Sequence, residues 1–159
     1  VLGEIDRHTG HLADAEQHYR ESLHICRQIG FQEGVSINLC NLGLVKAEAG
    51  QPEAAWRFLR EALELDLDVG SVWGILGELT GVALLRSELG QPMDAAELVG
   101  LLLDHPSSGG DARQDARRIL ATLKESLPPE GLDPALARGT QLDPESVARQ
   151  LLKDETGVS

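Results

Sequence analysis

Aromatic side chains make up only 3% of the 159 residues, and the apolar 42% is mainly Leu, Ala and Val. Leu and Ala are good helix formers, whereas sheets draw on aromatic and β-branched residues, so the scarcity argues against a strand-built core and for helix packed on helix. Bases are also few: 14 Lys and Arg stand against 26 Asp and Glu, a net charge of −12. A nucleic-acid binder needs a basic stripe to displace phosphate counterions. The one short basic cluster is Arg113, Arg117 and Arg118, so direct nucleic-acid binding is excluded. Anionic membrane is disfavoured for the same reason. No apolar run reaches the roughly 20 residues of a membrane span, and no signal peptide is visible. The expected location is cytoplasmic. The chain opens Val-Leu-Gly in mid-helix and without Met, which suggests a piece of a longer protein. Cysteine is limited to Cys26 and Cys40. They fall in neighbouring predicted helices, so a disulfide is conceivable, but two small buried apolar residues are the favoured reading.

What is present is an internal repeat. Displacing the sequence by 40 residues sets Leu2-Gly3 on Leu42-Gly43 and then on Val82-Ala83. Gly10 falls on Gly50 and Gly90, Ala15 on Ala55 and Ala95, and Tyr19 on Leu59 and Val99. Leu23 meets Leu63 and Leu103, Gly30 meets Gly70 and Gly110, and Gln51-Pro52 recurs as Gln91-Pro92. So many coincidences at one offset mark a repeat architecture.

Each unit reads as two helices. In the second, Val35, Ile37, Leu39, Leu42, Val45 and Ala49 mostly follow helical spacing over about 33–49. Gly50 ends that helix and Pro52 opens the next, where its missing N–H costs nothing. Ala55, Phe58, Leu59, Ala62, Leu63 and Leu65 then form an apolar stripe, with small Ala55 suited to a close helix crossing. The units are expected at about 1–30, 31–70 and 71–104, the first lacking most of its first helix. No such hairpin can bury its stripe alone; stacked hairpins can, leaving a long curved surface.

The register breaks after about 105. Pro106 to Gly110 reads as a loop, and Asp111 to about Leu127 as a helix with Ala116, Ile119, Leu120, Leu123 and Leu127 on one side. Pro128-Pro129-Glu130-Gly131 reads as a stop. Two short helices follow, started at Asp133-Pro134 and Asp143-Pro144. Residues 105–153 form the expected C-terminal cap and 154–159 a frayed tail.

Asn41-Leu42-Gly43, Gly50, Ala55, Leu59, Ala62, Leu63 and Leu65 resemble the tetratricopeptide repeat at its signature positions, and Tyr19 fits its aromatic variant. The resemblance spans about 1–104. It departs at Asp6, Lys46 and Arg86, where the family usually has an aromatic, and its stride of 40 exceeds the usual 34 or so. Both departures resemble the longer variant in the C-terminal arrays of bacterial signal-transducing ATPases and MalT-like transcription regulators. The tail from Leu127-Pro128-Pro129 through Arg138-Gly139 to Leu142 is similar to how many of those chains end. The resemblance implies a right-handed solenoid of helical hairpins, all-α, with capping helices.

It also implies a partner surface on the concave side, built from the first helix of each unit. Carried over, its positions are Glu4, Arg7 and His8; then Ile37, Cys40, Leu44, Ala47 and Glu48; then Gly77, Thr80, Leu84, Ser87 and Glu88. The Lys and Asn with which one branch of the family grips a terminal carboxylate are absent, since Cys40, Leu44 and Ala47 stand there. This lining is small and apolar with an acidic fringe. It suits an apolar helix, a basic peptide or a second copy of the chain; the alternative is that these residues only pack neighbouring helices.

Chemistry is hard to find. His8, His11 and His18, near Glu4 and Asp14, lack the convergence a zinc site needs, and Gly10 interrupts the helix between the first two. His24 and Cys26, two apart on a helix, point away from each other. Glu61, Glu64, Asp66 and Asp68 read as a solvated face rather than general acids. Gly74 and Gly77 follow no strand, so no phosphate-cradling loop is present. Trp56, on the outer side of its helix, reads as a packing residue against the inter-repeat turn, with an interface anchor as the alternative. The sequence thus points to a module that binds proteins or peptides, with no cofactor, no metal and no catalytic residue. A homo-oligomerisation module is the alternative.

Overall fold

The computed structural model describes residues 2–154, Leu2 by its backbone alone. The frayed tail expected at 154–159 therefore lies, apart from Asp154, outside the described residues. Among the described residues the chain is helical and contains no strand. Helices α1 (Leu2–His8) and α2 (Leu12–Ile29) form a first hairpin, α3 (Gln32–Glu48) and α4 (Pro52–Val69) a second, and α5 (Val72–Glu88) and α6 (Pro92–Asp104) a third. Helices α7 (Gly110–Ser126), α8 (Pro129–Gly139) and α9 (Pro144–Lys153) follow.

The turns explain the stride. Gly10, Gly30, Gly50, Gly70 and Gly90 all have positive φ, from 67° to 83°, a conformation that costs any residue with a Cβ. Pro52 and Pro92 stand in the first turns of α4 and α6. Gly110 leaves the series and opens α7 instead. The cause is Pro106, which forces His105 before it into the extended region (φ −66°, ψ 128°) and ends α6 early.

The hairpins stack side by side. Helix α3 packs on α2, α4 and α5, and α5 on α3, α4, α6 and α7. As the central layer, α3 and α5 are covered on nearly every side: Val35, Leu39, Leu42 and Val45, then Ile75, Leu76, Leu79 and Val82, are all buried. Each such side chain contributes about 1.5–3 kcal/mol of burial. Ala55 and Ala95 are both wholly buried, and a Cβ placed on Gly43 of α3 would stand 3.4 Å from the Ala55 carbonyl oxygen. The small residues thus sit where helices cross closely. Helix α7 packs on α5 and α6, the place the first helix of a further unit would take.

The tail differs from its sequence reading in one respect. Helix α8 starts at Pro129 with Pro128 as its cap residue, and Pro134 lies inside it; the Pro-Pro pair is a start rather than a stop. Proline is accommodated in a first turn because that N–H has no helical partner. The α9 start is as read: the Asp143 carboxylate accepts from the Ser146 N–H at 2.8 Å. Helix α8 lies along α6, while α9 reaches back to α4 and α5. Trp56 is buried in the same core cluster as Ala148 and Leu151 of α9.

The three positions where an aromatic is usual carry polar contacts to a neighbouring helix. Asp6 meets His18 at 2.8 Å, Lys46 meets Glu16 at 2.7 Å, and Arg86 meets Asp94 at 3.2 Å. Each links a first helix to an adjacent second helix, replacing ring packing by a polar contact.

Candidate functional site: the concave groove

The first helices of the units, with α7, enclose a groove of about 200 Å³ on the concave side. Of the positions expected there, Glu4, Arg7, His8, Ile37, Cys40, Leu44, Gly77 and Thr80 line it. Several offer little surface: Cys40, Leu44 and Thr80 are all buried. Ala47 belongs to the core cluster, and Leu84 is half-buried against it. Ser87 is half-buried and Glu88 exposed at the end of α5, and neither lines this groove. Glu48 acts through Arg7.

Arg7 is a buried cation. Its guanidinium donates to Glu48 Oε1 at 2.6 Å and to Asp115 Oδ2 at 2.7 Å. Burial works against its charge, but the two carboxylates outweigh that and hold its pKa above the ordinary value. Arg7 therefore straps α1 to α3 and, across the concave face, to α7. His8 lies 2.9 Å from the same guanidinium.

The floor is a second cluster. Asp66 of α4 and Glu78 of α5 are both buried, at 6% and 1% exposure. Ser36 donates to Asp66 at 2.5 Å. Gly74 makes room, since a Cβ there would overlap the Asp66 carboxylate. Burial raises the pKa of both acids, and each is raised further by a neighbouring carboxyl: Asp66 beside Glu78, and Glu33 beside Asp66. Burial and the neighbouring Asp66 carboxyl thus favour the neutral form of Glu78. Its Oε2 has no hydrogen-bond partner. Neither acid has a base within ion-pair distance among the described residues. Burial likewise raises the Cys40 thiol beside them; Cys26 and Cys40 are both free.

Sequence reasoning missed Asp66 and Glu78. It took the groove from first helices alone and gave Asp66, on a second helix, to a solvated face. A signal was available: the same offset of 40 sets Asp66 on Cys26, Glu78 on Asn38 and Gly74 on Gly34. Trp73 was also missed; it is 53% exposed at the groove rim.

The three N-terminal histidines are held by separate partners: His8 by Arg7, His11 by Thr9 at 2.8 Å, and His18 by Asp6. Among the described residues no three His, Cys, Asp or Glu stand close enough to share a metal.

A row of stacked helical hairpins with a groove along its first helices defines a helical-repeat α-solenoid, similar in form to a tetratricopeptide array. Residues 1–68 match the family model of the tetratricopeptide repeat. No curated protein and no solved structure gives a significant match to the chain. Tetratricopeptide repeats generally mediate protein–protein interaction and are generally non-catalytic scaffolds. No described helix is long and apolar enough to cross a membrane.

Proposed function

We propose that this chain is a protein-interaction module whose concave groove receives an extended segment of a partner protein. The observation that carries this reading is the groove itself: polar and apolar side chains from successive first helices converge on one open concavity, a form suited to an unfolded segment rather than a flat surface. The groove is acidic. Glu4, Glu33, Asp66, Glu78, Asp111 and Asp115 line it against Arg7 and His8, which favours a basic segment and disfavours nucleic acid or an anionic membrane. Substituting Gly77 tests it. A Cβ there meets only Cys40 Sγ, at 3.6 Å, so Gly77→Gln obstructs the groove and leaves the helices packed. Peptide binding is expected to fall about tenfold or more with the melting temperature little changed; unchanged binding overturns the reading.

The finer reading is that the array is the cytoplasmic sensory end of a larger bacterial signal-transducing ATPase or transcription regulator. It is supported by the stride of 40 residues and by the Pro-Pro tail. A second reading, homo-oligomerisation, is favoured by one observation: Ile25, Ile29, Phe31 and Val69 are exposed near successive inter-unit turns. Sedimentation across concentrations separates the two, since a strict monomer removes the second.

A further inference from the structure

Asp66 and Glu78 are an unusual floor for a groove that only has to hold helices together. Two carboxyls share a buried site, and one oxygen of Glu78 is left with no partner. Removing carboxyl groups from water without pairing them is costly, and a neutral replacement generally stabilises. The scaffold contains that replacement. At the preceding junction, 40 residues earlier, the same places hold Cys26 and Asn38, and the Asn38 amide donates to the Gly34 carbonyl at 2.7 Å. The fold is thus built at one junction from a neutral, satisfied pair and at the next from two acids opening on the groove.

We infer that the Asp66–Glu78 pair is the seat of a lysine or arginine side chain carried by a basic segment of the partner. This rests on the groove being the partner site. A cationic head supplies the hydrogen-bond donor that Glu78 Oε2 lacks and the counter-charge that the pair lacks. The competing cation of the groove, Arg7, is already committed to Glu48 and Asp115. At the rim, the exposed indole of Trp73 offers an apolar face for the aliphatic stem or the cation. Glu33 and Asp111 keep the approach negative.

The seat has a protonic consequence. Burial and the Asp66 carboxyl favour the protonated form of Glu78. The groups facing it are Asp66 from α4, Cys40 from α3, and, further along the groove, Arg7 from α1 and Asp115 from α7. An arriving ammonium or guanidinium stabilises the second carboxylate, and the Glu78 proton leaves to solvent. Binding therefore releases a proton and tightens as pH rises through the raised Glu78 pKa.

The test uses the whole chain and immobilised random dodecapeptides whose central residue is fixed as Lys, Arg, Leu or Glu. Asp66→Cys with Glu78→Asn copies the neutral junction and so preserves a pairing the fold already accepts. Wild type is expected to retain the Lys- and Arg-centred sets about tenfold better than the Leu-centred set. The double variant is expected to lose that preference while still binding peptides, and Lys-peptide calorimetry in two buffers should show proton release that the variant lacks. Equal retention of the Lys and Leu sets, or a cation preference unchanged in the variant, overturns the seat and leaves the groove as a partner site. Binding of no set overturns both. Displacement of the Lys peptides by equimolar spermidine overturns a peptide as the occupant in favour of a free amine.

Discussion

The junction between α2 and α3 and the junction between α4 and α5 have the same backbone and different chemistry. Both close on a glycine with φ of 71°. Both leave a glycine on the following helix, Gly34 or Gly74, against a side chain of the preceding one: Cys26 Sγ in the first case, the Asp66 carboxylate in the second. The first is filled by a thiol and an amide and closes on itself. The second is filled by two acids and lies open to the groove. A repeat lets one unit serve as the control for another. What the two junctions share belongs to the fold, and what separates them is the basis of the proposed cation seat.

The shared part breaks with the largest effect. Ala55→Arg or Ala95→Arg places a long cation in a wholly buried helix crossing and is expected to abolish folding or to cost about 4 kcal/mol or more. Circular dichroism and thermal melting would show it; unchanged helicity and melting would refute the close crossing. Next is a transplant. Cys26→Asp with Asn38→Glu installs the acid pair in the closed junction and should destabilise by about 2–4 kcal/mol at neutral pH, read from denaturant midpoints. Opening the Arg7 strap with Asp115→Asn should cost about 1–3 kcal/mol, since one carboxylate of a buried ion pair is lost.

The pH dependence sharpens the contrast. Asp66 and Glu78 have raised folded values against ordinary values of 3.8 and 4.5. A carboxyl whose folded pKa is raised holds its proton more tightly in the folded state. Its contribution is therefore complete below the unfolded value and is lost as pH rises through the folded one. Wild-type melting temperature should fall as pH rises above the ordinary carboxyl range, and Asp66→Cys with Glu78→Asn should flatten that slope and raise stability at neutral pH by about 1–3 kcal/mol. A slope that survives the double substitution would place its origin elsewhere. The smallest effect is Glu53→Ala, an exposed first-turn change expected to stay within about 0.5 kcal/mol by the same melting assay.

Much of this was legible in one dimension because a repeat writes its geometry locally. Gly10, Gly30, Gly50, Gly70 and Gly90 are needed by the turns themselves, Pro52 and Pro92 mark helix starts, and Ala55 and Ala95 mark crossings. Each signal depends only on neighbours within a turn or two along the chain. The stride of 40 and the hairpin stack follow from these alone. The start of α8 escaped because a Pro-Pro pair is compatible with both a stop and a first turn, and only the packing of α8 along α6 decides between them.

The groove was legible in part. The resemblance to the tetratricopeptide repeat implied Ile37, Cys40 and Gly77 on one side, but neither it nor helical spacing can say how tightly the stack curves. Curvature brings Arg7 within reach of Asp115, 108 positions away in sequence, and turns Asp66 from an apparent surface acid into a buried neighbour of Glu78. The sequence by itself determined the turns, the pairing of helices and the acidic sign of the chain, because these are set by local sterics and by composition. Only the tertiary structure decided which carboxyls lost their water, because desolvation depends on everything packed around a group and not on the residues beside it in the chain.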